Sequence, residues 1–440
     1  MKHLDLIGGY KFQKEESSNI VDFFLNFEKY KAKGASLPRG IFFYGRPGNG
    51  KTMFANAIAH DSGVPCFSLF EEERNGSSAE TIANFKALFA KAKANQPSII
   101  IIDEIDQIIQ TRSYRDNSDK LRDSLRALLT EIDNLGDAAV LVIATSNTTL
   151  ESMPDALVRN GRIEKHVYIG TPTFEDRVDI LKLFTKDEIF SEVSLDELAS
   201  LTSHFSCASL KSLINEVLIT SLRKGVKKVS MNDFYEPIQV IVNKGIKTET
   251  KEVDVSVCYH EAGHFVMGHI LKGEVGTLSA QSFGDTSGQY RKIMDTSDAF
   301  KHKNEQKVCT YEDAEKVICT GLGGLAATEV FLGNKHIGAR GDLASIYMLI
   351  EELAANGLLG FEEMVSVIDE ETHRNYGGSR RYTYTPDYRV KLIDKLYAKT
   401  KKMLEENKDL VELFAKTLEK ELFLSVERVK ELLETYNRLR

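Results

Sequence analysis

A chain of 440 residues, 42% hydrophobic and 28% charged, has room for about three domains, each with its own core. Its formal net charge of −8 leaves no global basic footprint and so excludes nucleic acid as the main partner. Five cysteines, odd in number and with no CxxC pair, exclude a disulfide framework or a cysteine-based zinc site and fit a reducing compartment.

No apolar run reaches the ~18 to 20 residues that a membrane span takes. The amino terminus has no signal-peptide core. The chain as given therefore reads as soluble and cytoplasmic, with membrane association only through an upstream anchor missing from it. Residues 1–170 alternate buried strands with helices. Apolar strand-like runs fall at 41–44, 65–69, 98–102 and 140–144, and helical stretches at 81–94 and 119–134 lie between them. That alternation predicts a parallel sheet covered on both faces.

The first run leads into Gly45-Arg46-Pro47-Gly48-Asn49-Gly50-Lys51-Thr52, which opens a helical run at 53–60. This is GxxxxGK[ST] between a strand and a helix, the context the motif requires. Gly45, Pro47, Gly48, Asn49 and Gly50 form a loop whose backbone N–H groups wrap phosphates, Pro47 shaping it without an N–H of its own, aided by the positive end of the helix. Lys51 reaches the β- and γ-phosphates of the nucleotide, and the Thr52 hydroxyl ligates Mg²⁺. The run at 98–102 contains four isoleucines in a row and ends in Asp103 and Glu104. Asp103 is expected to orient Mg²⁺ and Glu104 to polarise the attacking water, at the sheet edge where open α/β folds bind ligands. The run at 140–144 ends at Thr145-Ser146-Asn147, where Asn147 is expected to position that water.

A Gly-Thr-Pro-Thr break at 170–173 opens a helical region that extends to about 243, and a charged linker follows at 244–252. The remainder is mostly helical, with a Gly-rich, less regular stretch at 273–288 and a helical bundle over the last 60 residues. His260-Glu261-Ala262-Gly263-His264 matches HExxH. On a helix, residues four apart share a face, so both imidazoles can hold one Zn²⁺ while Glu261 takes a proton from the metal-bound water. Asp254 or Ser256 is expected to cap this helix. His269, five residues beyond His264, turns away from the metal face and reads as structural. His3 and His60 have no motif around them and read as surface or packing residues.

The phosphate loop, the two strand-end motifs and the run Met153-Pro154-Asp155-Ala156-Leu157-Val158-Arg159-Asn160-Gly161-Arg162 together resemble the AAA ATPases. The resemblance places Arg159 and Arg162 at a subunit boundary, reaching the neighbour's γ-phosphate. Downstream, the HExxH helix, Leu322-Gly323-Gly324-Leu325 and Gly338-Ala339-Arg340-Gly341-Asp342 resemble the FtsH-type AAA metalloproteases. That resemblance implies Asp342 as third zinc ligand, with Glu329 as runner-up. It covers nearly the whole chain. It implies an α/β P-loop AAA ATPase domain (1–170), a helical lid (171–245) and a mainly α-helical zinc metallopeptidase domain (246–440). The activity implied is an ATP-dependent zinc endopeptidase. It works as a homohexameric ring that unfolds, translocates and degrades unfolded or tagged proteins, with ATP, Mg²⁺ and Zn²⁺ as cofactors.

Several positions depart from the family pattern. The aromatic–hydrophobic–glycine triplet of the translocating loop is missing from 70–78, which reads Phe-Glu-Glu-Glu-Arg-Asn-Gly-Ser-Ser. Arg46 replaces a proline, Cys207 a glycine near the adenine pocket, and Thr328 an acid. The loop supports an alternative reading, an ATP-driven remodelling factor with an altered or unused protease site.

Overall fold

The computed structural model describes residues 2–36, 38–68, 78–109, 118–242, 254–283, 286–293, 310–334, 340–355, 364–368, 380–384 and 386–439. They fall into two compact units, Met1–Val229 and Ser230–Arg440. Among the described residues no helix is long and apolar enough to cross a membrane.

The first unit opens with a short 3₁₀ turn, His3–Leu6, and helix α1 (Lys11–Leu25). It continues β1 (Gly40–Tyr44), α2 (Lys51–Ser62), β2 (Cys66–Ser68), α3 (Ser78–Ala94), β3 (Ser98–Ile102), α4 (Ser118–Asn134), β4 (Val140–Ser146) and β5 (Lys165–Tyr168). All five strands are parallel, in the order β2-β3-β4-β1-β5. Every residue of β3 and β4 is buried, which is why both read as unbroken apolar runs. On one face Phe42, Ile100, Ile102 and Val142 pack with Phe85, Phe89, Leu128 and Ile132 of α3 and α4. On the other, Phe43 stacks on Phe54 of α2 with ring centroids 5.8 Å apart. Strand β5 was not expected. It is a four-residue edge strand, Lys-His-Val-Tyr, with only Val167 buried, so it carries almost no apolar signal.

The order matters for chemistry. β3, β4 and β1 are neighbours, with Ile102 opposite Ala144 and Tyr44 opposite Ser146. The residues that follow their carboxyl ends therefore emerge side by side. Beyond the sheet lie α5 (Phe174–Phe184), α6 (Leu195–Leu201) and α7 (Cys207–Arg223). Thr173 caps α5 through a reciprocal box with Asp176, and Ser206 caps α7.

The second unit begins with α8 (Asn232–Val242), whose Tyr235 ring lies 4.9 Å from that of Phe423. The unit boundary precedes α8. Next come α9 (Val255–Lys272), β6 (Val275–Phe283), β7 (Thr286–Ile293), α10 (Tyr311–Leu332), α11 (Arg340–Ala355), β8 (Met364–Ile368) and β9 (Arg380–Tyr384). The chain ends with α12 (Pro386–Glu406), α13 (Lys408–Glu421), β10 (Phe423–Leu424) and α14 (Val426–Leu439). α9 and α10 are packed along each other and backed by α12 and α13, with Phe265 and Phe414 at 4.4 Å in the core. β10, β6 and β7 form an antiparallel sheet, with β6 and the start of β7 in the stretch expected to be irregular. Thr277, Leu278, Ser279 and Ala280 of β6 are all buried, so small polar residues occupy inward positions and the usual apolar alternation is absent.

Candidate nucleotide and metal sites

The loop between β1 and α2 has the backbone that its glycines permit. Gly45, Gly48 and Gly50 have φ of 136°, 80° and 97°. L side chains rarely adopt these values, and together they turn successive N–H groups inward. A Cβ at Gly45 would also lie 2.2 Å from the Ile169 carbonyl oxygen. Lys51 is buried and donates from Nζ to the carbonyls of Gly45 (2.8 Å) and Arg46 (3.0 Å). Burial pulls its pKa down, against the carboxylates of Asp106, Asp103 and Glu104 that face it. Asn49 is 1% exposed, and its side-chain amide has no hydrogen-bond partner among the described residues. A buried orphan amide in a positively polarised loop fits a site whose remaining acceptors come from a nucleotide.

The strand ends supply the rest. Asp103 Oδ1 accepts from the hydroxyls of Thr52 (2.8 Å) and Thr145 (2.5 Å). The Thr145 hydroxyl in turn accepts from the Glu104 amide at 2.9 Å. Glu104 sits at φ 51°, a left-handed conformation costing on the order of 1–3 kcal/mol for a residue with a Cβ. Its carboxylate accepts from Asn147 Nδ2 at 3.3 Å and from the Gln107 amide. Lys51, Thr52, Asp103, Glu104 and Asn147 are thus brought together. Thr145 is the member that sequence reading passed over. Its signal was its place at the end of β4, beside the acid that ends β3.

The two arginines have different settings. Arg162 is 8% exposed. It donates Nε and Nη2 to the two carboxylate oxygens of Asp133 (2.8 and 2.6 Å) and Nη1 to the Ala156 carbonyl (2.5 Å). This fork holds the Asp133 carboxyl below its ordinary pKa. Arg159 is exposed. The Cys207 position lies against the phosphate loop, with its Sγ 3.7 Å from the Asn49 carbonyl and the Ala208 amide donating to the Gly48 carbonyl at 2.9 Å. The segment 70–77 that lacks the translocating triplet lies outside the described residues.

In the second unit, Asp254 is the residue that caps α9, accepting from the Ser256 amide at 2.9 Å, and Gly273 ends the helix at φ 66°. His260 and His264 project from one side of α9 toward Asp342 in the first turn of α11. His260 Nε2 lies 3.2 Å and His264 Nε2 3.3 Å from Asp342 Oδ2, and the two Nε2 atoms are 3.0 Å apart. Two nitrogens and one carboxylate oxygen form a hydrolytic zinc donor set. Arms of about 2.0–2.1 Å in a tetrahedron put ligand atoms about 3.3 Å apart, so the spacing fits. His264 Nδ1 lies 2.8 Å from the Thr320 carbonyl. A carbonyl only accepts, so Nδ1 carries the proton and the Nε2 lone pair is left for the cation. Burial opposes charge on His264, but the hydrogen bond and charge of Asp342 raise its pKa to about 9. Burial likewise opposes ionisation of Asp342, yet both histidines hold it well below the usual carboxylate range. Three such groups at this spacing share protons or share a cation.

Glycine makes this geometry possible. A Cβ on Gly263 would lie 2.3 Å from the Gly323 carbonyl oxygen, and one on Gly323 2.6 Å from that of Gly263. A Cβ on Gly324 would fall 2.5–2.6 Å from three atoms of the His260 ring. α10 therefore backs the HExxH helix at contact distance only because these positions lack side chains. Glu261 is 5% exposed, beside this cluster. Glu329, the runner-up ligand, accepts instead from Tyr397 Oη (2.6 Å) and Lys401 Nζ (2.7 Å) on α12. His269 stacks on Phe265 and donates Nδ1–H to the Glu274 carbonyl at 3.1 Å.

Residues 41–171 match the ATPase family associated with various cellular activities (AAA), 192–236 the AAA+ lid domain and 246–432 peptidase family M41. The chain is 32% identical to an ATP-dependent zinc metalloprotease FtsH 2 of Thermoanaerobacter sp. (strain X514), over 97% of this chain and 81% of that protein. It is 31% identical to an ATP-dependent zinc metalloprotease FtsH of Helicobacter pylori (strain J99), over 98% of this chain and 70% of that protein. It is also 32% identical to an ATP-dependent zinc metalloprotease FtsH 4 of Synechocystis sp., over 95% and 69%.

Proposed function

The chain belongs to the FtsH-type ATP-dependent zinc metalloproteases, and we propose that it unfolds protein substrates, threads them and cuts them within a homohexameric ring. ATP, Mg²⁺ and Zn²⁺ are its cofactors. The observation that carries the peptidase half is the convergence of His260, His264 and Asp342 within 3.3 Å, with Glu261 buried on the same helix. An intact donor set favours a working peptidase over a remodelling factor with an unused site.

Zinc held there supplies a Lewis acid for the scissile carbonyl and a water of lowered pKa. Glu261 takes the proton of the attacking water and returns it to the leaving amine nitrogen. Thr320 keeps His264 in the ligating tautomer. In the ATPase half, Lys51 leaves the Gly45 and Arg46 carbonyls for the phosphates. Thr52 and Asp103, already hydrogen-bonded, hold Mg²⁺. Glu104 orients and polarises the lytic water, with Asn147 fixing its carboxylate. Exposed Arg159 reaches the γ-phosphate of the adjacent subunit, and Arg162 holds the segment that presents it. An arginine offered across a boundary gives ATP turnover a reason to depend on the ring.

The deciding experiment is degradation of a folded, tagged protein with and without ATP by wild type and by Glu261→Gln. The variant is expected to keep zinc and ATPase activity while proteolysis falls by about 10²–10⁴. Proteolysis at the wild-type rate would falsify the role of Glu261.

A further inference from the structure

A second group of metal-ligating side chains lies in the first unit, away from the phosphate loop. His3 on the opening 3₁₀ turn, and His60 and Asp61 in the last turn of α2, each point one donor atom into a common space, all within 4.8 Å of one another. His3 Nδ1 is 3.4 Å and His60 Nδ1 3.7 Å from Asp61 Oδ1, and the two imidazoles are tilted by 36° with centroids 3.4 Å apart. The Asp61 side chain is 3% exposed.

Hydrogen bonding accounts for the carboxylate but only weakly for the two imidazoles. Asp61 Oδ1 already accepts from the His3 amide at 2.7 Å, and Oδ2 from the Leu4 amide at 3.0 Å. These bonds fix the carboxylate. His3 Nδ1 is itself buried and faces that oxygen at 3.4 Å, long for a charge-assisted hydrogen bond. At 3.4 and 3.7 Å from the carboxylate oxygen, the two imidazole nitrogens are too far to serve it well as hydrogen-bond donors. They are well served as ligands, because a cation takes lone pairs from all three at once. Edges of 3.4 and 3.7 Å are close to the roughly 3.3 Å of a tetrahedral zinc site. The group also sits at the carboxyl end of α2, where the helix dipole favours positive charge.

We infer that His3, His60 and Asp61 form a second site for a divalent transition-metal ion of the zinc class, completed by water. Two nitrogens and one carboxylate select zinc, nickel or copper over magnesium or calcium. The ion ties the amino-terminal turn to the far end of the helix whose first residue is Lys51, about 14 Å along its axis. The assignment stands apart from the peptidase reading, because it uses neither α9 nor α11.

The test is bound zinc per chain, measured by atomic emission on full-length protein stripped with chelator, reloaded with stoichiometric zinc and desalted. Wild type is expected to hold two equivalents, His264→Ala one, His3→Gln one, and the double variant none. His3→Gln retains the backbone amides that hold Asp61, so folding is spared. Circular dichroism and ATP turnover provide the check. As a second readout, His264→Ala loaded with Co²⁺ is expected to show visible ligand-field bands that vanish in the His3→Gln double variant. One equivalent in wild type, or the same count in His3→Gln as in wild type, overturns the site. So do cobalt bands that survive the loss of His3.

Discussion

In the first unit, Asp103, Glu104, Thr145 and Asn147 arrive at the carboxyl ends of two strands that are hydrogen-bonded neighbours. In the second, the three metal donors come from two helices, and a third helix backs one of them at a distance only glycine allows. A sheet imposes register, so a strand-end acid is placed to within a residue by the ladder beside it. Helices have no such ladder, and their mutual placement depends on the side chains at the crossing. Away from the glycines of its loop, the nucleotide site should therefore be sensitive to the chemistry of single groups and tolerant of packing changes nearby. The metal site should be sensitive to both.

The comparison is first tested where a single charge does the work. Arg159→Ala is expected to cut ATP turnover by about 10³ with little change in thermal stability, because an exposed arginine reaching a γ-phosphate acts only on turnover. Arg162→Ala is expected to destabilise the unit by about 2 kcal/mol. It loses a fork to Asp133 and a bond to Ala156, discounted because Asp133 is half exposed. Equal stability loss in both variants, read by calorimetry, would erase the distinction drawn between them. The corresponding single-group change in the second unit is Asp342→Asn, which removes the charge of the proposed anionic ligand. Zinc affinity is expected to fall by roughly 10² or more, and ATPase activity to stay at the wild-type level.

Legibility followed the same divide. The phosphate loop, Asp103, Glu104 and Asn147 were readable because each lies in or beside one contiguous stretch of a strand and its end. Thr145 was missed although it stands next to Ser146 and Asn147, since nothing in spacing says that a hydroxyl will bridge Asp103 and the Glu104 amide. The HExxH pair was readable from helical period alone. Asp342 was not: it lies 82 residues from His260, and only family resemblance pointed to it. The Thr320 carbonyl is backbone and leaves no trace in sequence. Asp133 was invisible as the partner of Arg162 for the same long-range reason. The hairpin of β6 and β7 was lost because buried serine and threonine stand where valine or isoleucine would have announced a strand.

Packing provides the next test. Gly324→Ala adds one methyl where the His260 ring lies 2.5–2.6 Å away. The ring or the helix must move, which costs about 1–3 kcal/mol. Zinc content and proteolysis are expected to fall at least tenfold, and ATP turnover to be unchanged. Gly50→Ala, where a Cβ meets nothing within 4 Å, isolates the backbone term in the other unit, since φ there is 97°. Full proteolysis in Gly324→Ala would show that the helix pair yields more than the contact distances allow.

The smallest expected effect concerns Glu329. Its carboxylate accepts from Tyr397 and Lys401, so it ties α10 to α12 and is turned to that use rather than to the metal. Lys401 and Glu329 are each about a third exposed, so solvent screens the pair, and its loss costs about 1 kcal/mol or less. Glu329→Gln keeps an acceptor for Tyr397 and removes only the charge facing Lys401. Zinc affinity and proteolysis are expected to match wild type, with a shift in melting temperature of a few degrees or less. Loss of zinc in this variant would make Glu329 a ligand and displace Asp342 from that role. The two acids are separable here because one sits within 3.3 Å of both imidazoles and the other is held by a lysine and a tyrosine.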